Sequence, residues 1–165
     1  ITPERLEKVD FSKKYYNTPP AIAAPKDTDI TGVTKEALAG KTVGVQGSTT
    51  HSAFVKKYYG ATSTIRYYND QDDILSDLRS GRIDIMIGDQ LVVEPLLDQP
   101  ENSMLASKGV APLDPLFGEG VGAGVRKGND ALRERLNVAL QALRDDGTYQ
   151  KIQQRYFKTD ISALE

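Results

Sequence analysis

The chain contains no cysteine, which excludes disulfides, thiolate metal sites and a cysteine nucleophile. It contains one histidine, so a histidine metal cluster or a Ser-His-Asp triad would need partners the sequence scarcely offers. No apolar run approaches the length of a membrane span. Neither charge dominates: 21 basic residues face 23 acidic ones, scattered rather than clustered, which argues against a nucleic-acid partner or an acidic membrane surface. Internal repeats and low-complexity segments are also missing.

What is there is ordinary globular material. The hydrophobic fraction of 39% and charged fraction of 27% suit one domain or two small lobes in 165 residues, enough to bury a core. Thr2-Pro3-Glu4-Arg5 reads as a helix start, with an N-cap residue, proline at the first helical position and acid in the first turn. Because the chain opens on Ile1, without methionine and straight into this signal, it reads as a mature fragment of a longer sequence.

An extended stretch follows at Val9-Asp10-Phe11-Ser12, then a proline- and alanine-rich strand or crossing segment from Tyr15 to Pro25. From Lys35 onward strand and helix signals alternate. A short helix, Lys35–Ala39, precedes a buried strand over Lys41–Gln46. The turn Gly47-Ser48-Thr49-Thr50 leads into a helix from His51 to Tyr59. Strand Ser63–Tyr68 precedes a helix capped by Asp70 and ended by Gly81, with Ile74, Leu75 and Leu78 on one face. Strand Ile83–Ile87 runs through Gly88-Asp89 into a helix over Leu91–Leu97. Such a βαβαβα series implies an α/β fold with a mostly parallel sheet covered on both faces. Gly109–Pro115 reads as a loop. Gly118–Val125, glycine alternating with apolar residues, reads as a strand in tight contact with its neighbours. Two helices close the chain. The first is capped by Asn129 or Asp130 and striped by Leu132, Leu136, Leu140 and Leu143, and the second has Tyr149, Ile152, Tyr156 and Phe157 on its apolar face. Each tyrosine pair (15-16, 58-59, 67-68) is expected to pack one ring and expose the other.

The strand-to-helix turn at Gly47–His51 carries the strongest chemical signal. Small residues there let backbone approach a ligand, and N–H groups at the helix start attract an anion such as a carboxylate or phosphate. It is neither a Walker loop nor a dinucleotide fingerprint, and read alone it is also an ordinary capped turn. Arg5 is the natural second anion contact, since guanidinium pairs carboxylate bidentately, although read alone it is more often a surface arginine. Asp89 ends a buried strand at the carboxyl edge of the sheet, where open α/β sheets place ligands. It is suited to an ammonium group, to capping the next helix, or to both. His51 sits where a ligand shell would be.

These landmarks resemble, in order and over the whole chain, the bacterial family 3 solute-binding proteins, the polar amino-acid receptors of ABC importers. The residues that carry the likeness are Ile1–Arg5 with Val9–Ser12 and Tyr15-Tyr16, Gly44–Thr50, Leu78–Asp84 with Gly88-Asp89, Ala123–Lys127 and Asp146–Tyr149. Among the family's members, the chain is similar to the lysine/arginine/ornithine and arginine receptors. The resemblance implies a type II periplasmic-binding-protein fold of two α/β lobes with mostly parallel sheets, lobe 1 lacking its N-terminal part. Residues 1–19 would belong to lobe 1 and the first crossing, 20–112 to lobe 2, and 113–165 to the second crossing and the end of lobe 1. It implies that Arg5 and the Thr50 N–H hold a ligand α-carboxylate and that Asp89 holds the α-ammonium. Gln46, Ser48, Thr49 and His51 complete the ligand-binding set, and Thr50-His51 points to arginine. The function implied is non-enzymatic: periplasmic capture of a free amino acid, without cofactor or metal, by a protein that is monomeric when complete, for delivery to a membrane permease. Two alternatives stay open, a dehydratase on the same fold using His51 as its acid, and a sensory or channel-fused ligand domain.

Overall fold

A computed structural model describes residues 1–17, 19–158 and 160–162. The chain divides into two compact units, residues 19–116 and residues 1–18 with 117–165.

The 19–116 unit is built on a five-stranded sheet. Its strands are β2 (Pro20–Pro25), β3 (Thr42–Gln46), β4 (Thr64–Tyr68), β5 (Ile85–Asp89) and β6 (Leu105–Val110), in the order β4-β3-β5-β2-β6. The crossings are α3 (Thr50–Tyr59) between β3 and β4, and α4 (Gln71–Arg79) between β4 and β5. These two crossings make β4, β3 and β5 a parallel set, as the alternating pattern requires. The expected parallel sheet needs one refinement: β2 enters antiparallel to both β5 and β6, so the sheet is mixed. β2 is a continuous apolar run with prolines only at its two ends, where no central ladder bond is lost. A short helix α2 (Lys35–Leu38) precedes β3, and α5 (Gln90–Leu97) leaves β5 directly.

Strand alternation divides the core between two faces. Ala21, Ala23, Met86 and Leu105 pack with Ile74, Leu75 and Leu78 of α4 and Val93 of α5. Ile22, Val43, Val45, Ile85 and Ile87 are buried on the opposite side of the pleat, and α3, which packs on β3 and β5, buries Phe54, Val55 and Tyr59. Gly44 has no room for a side chain: a Cβ there would stand 2.5 Å from Ile83 Cδ1 and 3.0 Å from Ile74 Cγ2. The loop expected from Gly109 is corrected, because β6 runs to Val110. Its sequence, Leu-Ala-Ser-Lys-Gly-Val, has no strand periodicity, and only pairing with β2 organises it.

The other unit contains α1 (Pro3–Leu6), β1 (Val9–Phe11), β7 (Gly124–Arg126), α6 (Asp130–Asp145) and α7 (Thr148–Tyr156). β1 and β7 form a two-stranded antiparallel ribbon. Thr2 caps α1, its hydroxyl accepting from the Arg5 N–H at 3.4 Å, and Asn129 caps α6. The strand expected over Gly118–Val125 is corrected to the three residues of β7. Gly118 and Gly120 have φ of 73° and 124°, and a Cβ at Gly118 would fall 1.8 Å from the Ile1 carbonyl oxygen. The tight contact holds, but as turns rather than pleat. The helical stripes are also less buried than their spacing implies. No α6 residue is buried, and Leu132, Ile152 and Tyr156 are exposed. Among the tyrosine pairs, Tyr59 is buried beside exposed Tyr58, and Tyr67 is exposed beside half-buried Tyr68.

Candidate functional site

β3 and β5 are parallel neighbours, so the turn after Gln46 and the carboxylate of Asp89 leave the same, carboxyl-terminal end of one sheet. That is where an open α/β sheet presents ligand-binding groups. The topology therefore brings Gln46, Ser48, Thr49, Thr50, His51 and Asp89 to one edge of one unit. Arg5 belongs to the other unit, where it is exposed on α1.

The turn is held from both sides. The Gly47 N–H donates to the Tyr68 carbonyl of β4 at 2.9 Å. Ser48 has a φ of 59°, and it is the only non-glycine in that region among the described residues. A left-handed serine costs conformational energy and such residues concentrate at ligand-binding turns. Thr49 then closes a capping box. Its hydroxyl accepts from the Ser52 N–H at 3.0 Å, the Ser52 hydroxyl accepts from the Thr49 N–H at 3.2 Å, and the Thr49 hydroxyl donates to the Gln46 carbonyl at 2.8 Å. That hydroxyl is thus committed to shaping the turn. The first-turn N–H of Thr50 has no partner within the helix, and the α3 dipole adds partial positive charge at this end.

Asp89 caps α5: its Oδ1 accepts from the Leu91 N–H at 2.8 Å. That cap fixes the carboxylate at the end of β5, beside the start of α5. His51 stands in the first turn of α3 with its Nε2 buried. Burial pushes the imidazole from 6.5 down to about 4, so it is neutral at pH 7 and near the helix start adds no charge. The site therefore offers one anion-attracting helix end and one carboxylate.

Gln46 is fixed by its neighbours, its Nε2 donating to the Asn69 carbonyl at 2.9 Å and its Oε1 accepting from Gln71 Nε2 at 3.1 Å. Sequence reasoning does not single out Gln71. Its one signal is position, since it opens α4 at the same edge of the sheet. Among the described residues no group of histidines and carboxylates could hold a metal. The 1–18/117–165 unit has its own recess of about 720 Å³, lined by Phe11, Tyr15, Tyr16 and Arg144 among others and by none of the candidate ligand residues.

The model of bacterial extracellular solute-binding proteins, family 3, matches residues 1–159. The chain belongs to that family. Among its curated relatives, ABC transporter arginine-binding protein 1 of Escherichia coli K12 is 39% identical over 158 residues, covering 95% of this chain. The histidine-binding periplasmic protein of the same strain is 38% identical over 164 residues, covering 98%. The chain spans 63% of the length of each of these two relatives. A solved ancestral arginine-binding protein bound to arginine superposes with a TM-score of 0.83 at 35% identity, over 95% of this chain and 68% of that one. The fold is accordingly the α/β fold of periplasmic amino-acid binders, and these family members are named as binding proteins. No helix among the described residues is long and apolar enough to cross a membrane.

Proposed function

We propose that this protein is a periplasmic receptor that binds a free amino acid, with cationic amino acids preferred and arginine first among them, and passes it to the permease of an ABC importer. The observation that carries the reading is the pairing, at one sheet edge, of the α3 N-terminus with the Asp89 carboxylate. A free α-amino acid is a carboxylate and an ammonium on one carbon, and these two poles answer it. In this reading the Thr50 N–H and Arg5 hold the carboxylate, Asp89 holds the ammonium, and neutral His51 accepts a hydrogen bond from a guanidinium or amine. Residues 20–112 form lobe 2, and the flanking residues 1–19 and 113–165 contribute the crossings and part of lobe 1.

The site works by binding alone. A histidine that titrates at about 4 carries no imidazolium to act as general acid at neutral pH, which disfavours a dehydratase. The preference for arginine draws on the relatives named for it and on the neutral His51.

Isothermal titration calorimetry of the protein expressed from its full reading frame, against the common amino acids at pH 7.5, tests the proposal. L-Arginine should bind most tightly, and Arg5→Ala should weaken it by roughly thirtyfold or more, the cost of removing one partner of a charge pair. A preference for an acidic or apolar amino acid would refute the cationic assignment, and no binding of any amino acid would refute the receptor reading.

A further inference from the structure

Three elements meet at one polar side chain that the binding site does not itself require. Gln71, the first residue of α4, reaches back over the end of β3 and donates from Nε2 to Gln46 Oε1 at 3.1 Å. Gln46 is the last residue of β3, and its own Nε2 is anchored on the Asn69 carbonyl at 2.9 Å. Its main-chain oxygen takes the Thr49 hydroxyl at 2.8 Å, the same hydroxyl that caps α3. On its other side, the Gln71 carboxamide lies over Gly88, where a Cβ would stand 3.5 Å from Oε1 and 3.2 Å from Val93 Cγ2. Gly88 immediately precedes Asp89.

The Gln71 Oε1 is buried and accepts no hydrogen bond among the described residues. A buried amide with one oxygen unanswered is a worse filler than an apolar side chain of the same size. Stability of the helix start does not explain it either, because Asp70 already caps α4 by accepting from the Asp73 N–H at 3.0 Å. Placement does explain it. A donor at this point orients the Gln46 carboxamide and so the strand end from which the turn springs, while the same carboxamide occupies the space a side chain at Gly88, next to Asp89, would need.

We infer that Gln71 is a positioning residue for the ligand site, a strut from α4 that holds the 47–50 turn and the Gly88–Asp89 strand end in fixed places at the sheet edge. Gln71 touches no proposed ligand atom; it acts through Gln46 and Gly88. Its effect on affinity rests on the amino-acid-receptor reading, whereas its effect on the turn does not.

Two measurements on the protein expressed from its full reading frame separate these. In Gln71→Met, which keeps the length and bulk but removes the donor, amide hydrogen exchange should quicken over residues 47–52 and leave residues 105–110 at the wild-type rate. L-Arginine affinity by calorimetry should fall roughly five- to tenfold, the effect of one hydrogen bond, with the ligand-free thermal midpoint close to wild type. Because Gln71 acts through Gln46, the double variant Gln46→Met/Gln71→Met should be no weaker than Gln46→Met alone. Unchanged exchange over 47–52 in Gln71→Met overturns the strut whatever the ligand is, and so do additive losses in the double variant. Faster exchange over 47–52 in a protein whose wild type binds no amino acid supports the strut and overturns the receptor reading instead.

Discussion

Replacing His51 by glutamine should remove most of the dependence of stability on pH between neutrality and pH 5. The folded chain half-buries His51 with its Nε2 out of water, and this burial pushes the imidazole down to about 4, against 6.5 for an unperturbed histidine. Between those two values the unfolded chain takes up a proton that the folded chain refuses, so acidification favours unfolding. The stability that the neutral imidazole contributes is fully present above about pH 6.5 and is lost as pH falls toward 4. A gap of about 2.5 pH units at about 1.36 kcal/mol each amounts to about 3 kcal/mol, of which about 2 kcal/mol falls between pH 7 and pH 5. For a chain of this size that corresponds to a drop of about 4–8 °C in thermal midpoint. The carboxylates do not obscure the window. Asp77, which accepts from Tyr68 and Arg82, and Asp114, which accepts from Tyr58, are held below the ordinary carboxylate range, so the stability they contribute is lost as pH falls from about 5, through the ordinary carboxylate value, and below the histidine window. Urea unfolding at half-unit intervals from pH 7.5 to 4.5 reads the effect for wild type and for His51→Gln, whose amide does not titrate. A wild-type profile flat between pH 7 and 5, or an equal slope in the variant, would refute the assignment of a buried neutral histidine.

Asp89→Asn separates the two roles of that residue. Asparagine caps a helix as well as aspartate does, so the urea midpoint should hold, while amino-acid affinity by calorimetry should fall by roughly thirtyfold or more for want of the ammonium's counter-charge. Thr49→Ala breaks the capping box at the start of α3 and should cost about 1 kcal/mol in urea unfolding, whereas Thr49→Ser should restore it. Gly44→Ala drives a methyl against Ile83 and Ile74, between β3 and α4, and should cost about 1–3 kcal/mol; a midpoint equal to wild type would show that α4 does not press on the sheet as described.

Whatever depends on neighbours a few residues away was legible in the chain itself. The caps at Thr2, Asp70 and Asn129 and the break at Gly81 act over one helical turn. The strand-to-helix transitions after Gln46 and at Asp89 likewise follow from short apolar runs ended by small or capping residues. Those signals carried the α/β class and brought Gly47–His51 and Asp89 into consideration. Tertiary structure decided what depends on partners distant in sequence. β6 has no pattern of its own and exists because β2 offers it a ladder. β2 runs antiparallel because of where the sheet receives it, which no local propensity encodes. Gly118 and Gly120 alternate with other residues as in a strand, but they turn because the Ile1 carbonyl and the Asn17 side chain occupy the space beside them. Within the candidate site the same division holds. Residue types pointed to an anion-attracting turn and a carboxylate, since helix starts and strand ends are local features. That Thr49 is committed to the cap, that His51 is dry enough to stay neutral, and that Gln71 braces Gln46 from another helix follow from packing and burial, which the folded chain alone defines.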